Sequence, residues 1–379
     1  MRPVEMEGGM LKVAIVGCGK IADDHCSQIQ RIKGCEIVGV CDREPLMARQ
    51  LSERFPVKQQ FGDLGTMLSH AQPDVVHVCS PPESHFAIAK KCLEAGCHVY
   101  VEKPFALCLN EARTMIALAM RKGLKITAGH DDQFRHVARR MRALVQDGFL
   151  GGGPVHMESY YCYEMGGSGY SKALLGDRQH WVRKLPGKLL HNIISHGIAR
   201  IAEFLRGDSP EVIAYGFTSP ALRSKGESEI IDELRVIISD EERATAYFTF
   251  SSQMRPALHQ FRIYGEKNGL ILDQDQETLI RLRGKMYVSY SEKFIPPFSF
   301  ARQYLGNFRT NLRTFLARDF HMKSGMKYLI ESFYRSVLEG TPEPIPYREI
   351  LLTTQIMDEI FRQLDVSRSL VHVPSQALV

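Results

Sequence analysis

The sequence predicts an α/β domain built on a doubly wound parallel sheet, followed by an α+β domain with a mostly antiparallel, open sheet. Three observations carry this prediction. Short apolar runs alternate with helical stretches from about residue 11 to 128. A glycine turn, Gly17-Cys-Gly19-Lys-Ile-Ala22, joins the first run to the first helix. Beyond about residue 130 strand-like runs follow one another with few helices between them, the pattern of a separate α+β unit. The 379 residues are enough for two domains with their own cores. The expected division is a tail over 1–10, a nucleotide-binding domain over 11–132 and a C-terminal domain over 133–379.

Residues 11–16 are an uninterrupted apolar run ending at glycine, as in a buried parallel strand. A helix follows over about 22–32, then a strand over 36–41. Pro45 stands near the first turn of a second helix, where its missing N–H costs nothing. A short strand at 57–61, a small helix at 63–69, a strand at 74–79 and a helix at 84–95 continue the alternation. The series closes with a strand at 97–101, a helix at 110–122 and a strand at 124–128. In the second half a helix over about 135–147 precedes strands at 155–163, 212–217, 230–239, 244–251, 259–264, 269–272 and 278–283, interrupted by one helix over 190–206. Three helices, 301–316, 325–339 and 347–364, complete the chain.

The composition is that of a globular protein, 44% hydrophobic and 24% charged. No run approaches the roughly 18 apolar residues of a membrane span. Residues 1–9 carry two acids and no apolar core, so no export signal is expected, and a cytoplasmic location with nine reduced cysteines follows. The cysteines show no Cys-x-x-Cys pair, and no metal site is expected. The net charge is +5. Residues 301–328 hold six basic side chains against Asp319 alone, which leaves the rest of the chain neutral and gives no sign of a nucleic-acid binder.

The chemistry starts at the glycine turn. Gly17 permits the tight turn, Gly19 lets a pyrophosphate approach the backbone, and Ala22 allows the helix to pack closely on its strand. Lys20 and Ile21 open that helix, whose N-terminus faces the phosphates. Asp42, at the end of the second strand, can accept both ribose hydroxyl protons and so favours NAD; Arg43 beside it offers a hold for a 2′-phosphate, which makes NADP the second option. The loop Ser80-Pro81-Pro-Glu-Ser-His85 follows the fourth strand, where ligands of this fold bind. There, His85 either lines the nicotinamide side or lies at the surface while Ser84 caps a helix. Glu102-Lys103-Pro104 ends the next strand at the same edge, with a proline that accommodates a cis bond. His130 and Asp131 follow the last strand and are candidate cofactor or substrate contacts. Downstream, Asn192 and His196 share a helix face at i, i+4, and a histidine is suited to proton transfer near neutral pH. Trp181 and Tyr163 are further candidate substrate contacts.

Taken together, Gly17–Ala22, Asp42, Ser80–His85, Glu102-Lys-Pro104 and the stretch from Trp181 to His196 resemble the Gfo/Idh/MocA family (glucose–fructose oxidoreductase, inositol dehydrogenase, rhizopine catabolism) over about 11–364. The resemblance implies a Rossmann domain and a C-terminal domain whose open sheet joins subunits into a homodimer or homotetramer. It implies NAD(P)-dependent hydride transfer at a hydroxyl carbon of a sugar, polyol or nucleotide sugar. Lys103 matches the family's lysine and His196 its histidine. Asn192 and Ala199 stand where the family commonly has acids, which bears on the proton path more than on the hydride. Two alternatives stand beside this reading: NAD-assisted, redox-neutral glycoside cleavage or elimination, and a non-catalytic nucleotide-binding partner. Finally, residues 301–320 alternate aromatic and basic residues at helical spacing. The preferred expectation is a helix packed on protein, its own domain or a second subunit. Contact with a membrane surface, or a cover over an anionic substrate, is the less favoured one.

Overall fold

The computed structural model describes residues 10–164, 169–241, 244–320 and 323–371. The tail expected over 1–10 lies, except for Met10, outside them. The chain forms two compact units, Met1–Phe134 with Met322–Thr354, and Arg135–His321 with Gln355–Val379. A single domain over 133–379 was therefore too simple: the chain returns to the first unit after the second has been built.

In the first unit, β1 (Leu11–Val16), α1 (Lys20–Ile29), β2 (Cys35–Cys41), α2 (Pro45–Arg54), β3 (Gln60–Phe61), α3 (Leu64–Ala71), β4 (Val75–Val78), α4 (His85–Glu94), β5 (His98–Val101), α5 (Leu109–Arg121) and β6 (Ile126–Ala128) alternate as expected. The six strands are all parallel, in the order β3-β2-β1-β4-β5-β6. Strand order reverses between β1 and β4, and the crevice beyond their carboxyl ends is where such sheets bind ligands. Val13, Ala14, Ile15, Val75, Val76 and Val99 are fully buried, because helices cover both faces of the sheet.

The second unit contains α6 (His136–Gln146), β7 (His156–Tyr161), α7 (Gly169–Gly176), α8 (Lys188–Ile193), α9 (Ser195–Ala202), β8 (Glu211–Phe217), α10 (Pro220–Arg223), β9 (Glu233–Ser239), β10 (Thr245–Ser251), β11 (His259–Tyr264), β12 (Asn268–Asp273), β13 (Thr278–Arg283) and α11 (Ser291–Leu316). Its seven strands run β13-β12-β11-β7-β10-β9-β8, antiparallel except for β7 beside β10. The helix expected over 190–206 is two, α8 and α9, meeting at Ile194. The short α7 and α10 carry too little periodicity to be read from sequence.

Next come α12 (Ser324–Glu339) and α13 (Tyr347–Val371). The apolar stripe of α12, Met326, Leu329, Ile330 and Phe333, joins the core of the first unit, which is the physical reason for the return.

α11 starts ten residues before the expected 301 and runs through Pro296 and Pro297. They stand in its second turn, on a stretch where Glu292 and Lys293 are exposed, so carbonyls left without an N–H partner can be hydrated. This helix is held by amides. Asn307 Nδ2 donates to Leu279 O (3.0 Å), and Leu279 N donates to Asn307 Oδ1 (3.3 Å). Gln303 repeats the pattern on Arg281 at 2.7 and 3.2 Å, and Asn311 Nδ2 donates to Gln276 O at 3.0 Å. Three side chains spaced one turn apart thus close the edge of β13. Asn307→Ala strips two of these bonds and is expected to destabilise the second unit by about 1–2 kcal/mol, seen as a lower urea midpoint; an unchanged midpoint would show that the amides do not anchor the helix.

Candidate active site

The site in the first unit is built along the carboxyl edge of its sheet. Gly17 has φ +90°, and a Cβ there would stand 2.5 Å from Ser80 N, so only glycine lets the β1 turn pass beneath the β4 loop. Gly19 forms the N-cap of α1, and a Cβ built on it would meet nothing within 4 Å. That open approach to a helix N-terminus is the feature a pyrophosphate needs, and it fits a dinucleotide. Lys20 is exposed and Ile21 half-buried at the start of that helix. The Asp42 carboxylate accepts from Cys18 N (2.7 Å) and Glu44 N (2.9 Å), which ties the end of β2 to the glycine turn. Arg43 beside it is exposed.

The Ser80 loop is cross-braced. Ser80 and Ser84 share a hydrogen bond of 2.6 Å, and Ser84 Oγ donates to Pro81 O at 2.7 Å. Ser84 occupies the N-cap position of α4 without a side-chain capping bond. His85 is 1% exposed, not a surface residue. Its ring nitrogens lie 2.9 Å from Pro104 O and 2.8 Å from Ser80 O, so it locks the β4 and β5 loops together, and burial holds its pKa below the usual imidazole value. Pro81 is exposed on the same loop. The Lys103–Pro104 peptide is cis.

The Glu102 carboxylate turns inward. It is 5% exposed, with Oε1 2.8 Å from His25 Nε2 and Oε2 accepting from Lys103 N at 3.1 Å. His25 Nδ1 meets His77 Nδ1 at 2.8 Å, and His77 Nε2 meets the Tyr334 hydroxyl at 2.8 Å. Tyr100 stacks flat on His77, ring centroids 4.7 Å apart. Burial and the neighbouring His25 keep the His77 pKa well below normal, so its ring is neutral. The Glu102 carboxylate can only accept, so His25 Nε2–H donates to it, and the facing Nδ1 atoms of His25 and His77 share one proton between them. Burial alone would raise the Glu102 carboxyl, but the bond and charge of His25, together with the Lys103 ammonium, bring its pKa down to about 2. Sequence reasoning missed this chain, although a histidine inside the apolar run Val75-Val-His-Val78 marked it.

Lys103 is half-buried at the end of β5. Burial lowers its pKa, opposed by Glu102, Asp131 and Asp132. Asp131 is pushed the other way by burial and by Asp132. Lys323, paired with Asp24 at 3.0 Å, adds a cation whose charge acts on Asp131. His130 is buried.

The remaining expected residues belong to the second unit. His196 is half-buried on α9, stacked on Tyr161 with centroids 5.5 Å apart. The Gly197 beside it is enforced: a Cβ would lie 2.4 Å from Phe248, and its carbonyl accepts from Ser159 Oγ at 3.0 Å. Asn192, Trp181 and Tyr163 are half-buried, whereas His191 is buried against Phe361 and serves packing. Ala199 is buried.

Because Glu102 titrates well below the ordinary 4.5 in the folded state, its contribution to stability is present above that value and lost as pH falls from about 4.5 through about 2. Glu102→Gln should therefore cost roughly 3 kcal/mol at neutral pH, with the gap to wild type closing on acidification. Urea titrations across that range measure it, and a gap that stays constant with pH would refute the charged, hydrogen-bonded assignment.

Comparison with known proteins agrees with this geometry. Residues 11–130 match the family model for oxidoreductases with an NAD-binding Rossmann fold, GFO_IDH_MocA. D-Glucoside 3-dehydrogenase of Escherichia coli is 36% identical over 147 residues, 38% of this chain and 42% of that enzyme. UDP-N-acetylglucosamine 3-dehydrogenase of Acidithiobacillus ferrooxidans is 28% identical over 149 residues, 39% of this chain and 44% of that one. The matches thus span about two fifths of the length of these curated relatives. Among solved structures, the WlbA dehydrogenase of Bordetella pertussis in complex with NADH and UDP-GlcNAcA superimposes with a TM-score of 0.76 at 16% identity, covering 96% of this chain and 97% of that one. An Agrobacterium radiobacter oxidoreductase bound to NAD+, L-tartaric acid and magnesium gives 0.73 at 14% identity, over 94% and 97%. These likenesses show that the fold continues through the second unit. Residues 11–130 are thus similar to the NAD-binding Rossmann domain of the Gfo/Idh/MocA oxidoreductases.

Proposed function

We propose that this protein is an NAD(P)-dependent dehydrogenase that oxidises or reduces a hydroxyl carbon of a sugar, polyol or nucleotide sugar, with Lys103 and His196 handling the proton. The observation that carries the reading is Lys103. A lysine at the carboxyl edge of an NAD-binding sheet, with burial lowering its pKa, is placed to exchange a proton with a substrate hydroxyl. The substrate class rests on the relatives, whose names include dehydrogenases of a glucoside, an inositol and a nucleotide sugar.

Bound NAD supplies the hydride acceptor, so the protein's own residues have the remaining work. The turn at Gly17–Gly19 and the N-terminus of α1 hold the pyrophosphate, Lys20 and Ile21 flank it, and Asp42 takes the adenosine ribose. Ser80 and Pro81 border the dinucleotide on the β4 side, held by His85. In the oxidative direction the alcohol O–H proton passes to the Lys103 amine, or to His196, as the C–H bond gives up its hydride and the C=O bond forms. Asn192, Trp181 and Tyr163 bind the sugar; Asn192 offers a donor and an acceptor where a carboxylate would only accept. Asp131, its carboxyl pushed up to about 7 by burial and Asp132, raises the Lys103 pKa when it is ionised.

Lys103→Met and His196→Ala should each lower turnover by about 10²–10⁴ while leaving NAD affinity within a few-fold. Turnover near wild type in either variant would remove that residue from the mechanism. Asp42→Ala should weaken NAD(H) far more than NADP(H) in calorimetric titrations; equal weakening would overturn the ribose assignment.

A further inference from the structure

α11 is mounted with its apolar side outward. Its amide face, Gln303, Asn307 and Asn311, is spent on β13, and Asn307 is the only described residue of the helix that is fully buried. At about 100° per residue, Phe298, Tyr304, Phe308, Leu312, Phe315 and Leu316 fall within an arc of about 120° on the other side. They are exposed, Phe308 by 62%, Phe315 by 64% and Leu316 by 71%. Arg302, Arg309 and Arg313 run along one border of this arc, all exposed, and among the described residues none has an ion-pair partner. The one acid of the stretch 301–320, Asp319, is taken by His136 at 3.3 Å. At about 1.5 Å per residue the 26-residue helix is about 39 Å long.

A face this apolar calls for an occupant. We infer that α11 lies in the headgroup region of an anionic lipid surface, its aromatic arc inserted and Arg302, Arg309 and Arg313 on the phosphates. Charge decides between this and self-association. A two-fold contact sets a patch against itself, so a second copy would bring three unpaired arginines against three others with no acid between them. Anionic headgroups supply the missing counter-charge, and an interfacial helix combines these features: aromatics and leucine on one side, arginine at the border, and polar residues on the remaining face. No helix among the described residues is long and apolar enough to cross a membrane, so the contact is superficial.

The test is sedimentation of the full chain with phosphatidylcholine vesicles, with and without phosphatidylglycerol, alongside sedimentation velocity without lipid. Wild type should pellet with the anionic vesicles and not with the neutral ones. Arg309→Gln with Arg313→Gln should weaken partitioning about thirtyfold, at roughly fivefold per basic residue near the surface. Phe308→Ser with Phe315→Ser should abolish it, with circular dichroism unchanged in both variants. Three results would overturn the inference: wild type that stays in the supernatant, anionic binding that survives the double serine variant, or a wild-type oligomer that the serine variant dissociates, which would assign the arc to a second copy.

Discussion

Everything at the dinucleotide edge depends on one buried charge. The Glu102 carboxylate lies in the interior beside the residue that presents the candidate proton carrier, and an unpaired carboxylate there would cost several kcal/mol. Its partners come from three other elements: His25 from α1, His77 from β4 through His25, and Tyr334 from α12 at the end of the chain of bonds. The constraint reaches further. Gly129 must lack a side chain, since a Cβ would stand 2.9 Å from Glu102 Oε1. The return of the polypeptide to the first unit after residue 321 also supplies the hydroxyl that completes the series.

The two sides of that residue pair divide the labour. Glu102 points into the core, and the Lys103 backbone N–H is fixed on its carboxylate. A bond of this kind fixes the backbone from which the lysine stem departs. His85 does the same for the loops, joining Ser80 to Pro104 across the sheet edge. Asp42 plays a double part: it braces the glycine turn through Cys18 N, yet a carboxylate has lone pairs left for ribose hydroxyls.

Much of this was legible in the sequence, for local reasons. Gly17, Gly19 and Asp42 announce themselves by spacing, and Lys103 by its place at the end of an apolar strand. The chain from Glu102 to Tyr334 was not legible, because its links join residues 77, 52 and 257 positions apart and no periodicity records such pairings. His77 alone broke the pattern of its strand, and a buried polar residue needs a partner. The helix over 301–320 was read correctly as amphipathic, but amphipathicity does not say which side faces the domain. Amides that cap a sheet edge turned the apolar side out. Likewise Pro296 and Pro297 stop a buried helix more readily than an exposed one.

The central claim is that the edge beside Lys103 is the reactive end of a dinucleotide site supported from below by Glu102. A crystal structure of the protein with NAD+ bound tests it most directly. The account predicts the pyrophosphate at Gly19 and the N-terminus of α1, the adenosine ribose on Asp42, and the nicotinamide beside Lys103, with His25, His77 and Tyr334 unmoved. A dinucleotide bound in the reverse direction, or away from this edge, would contradict it.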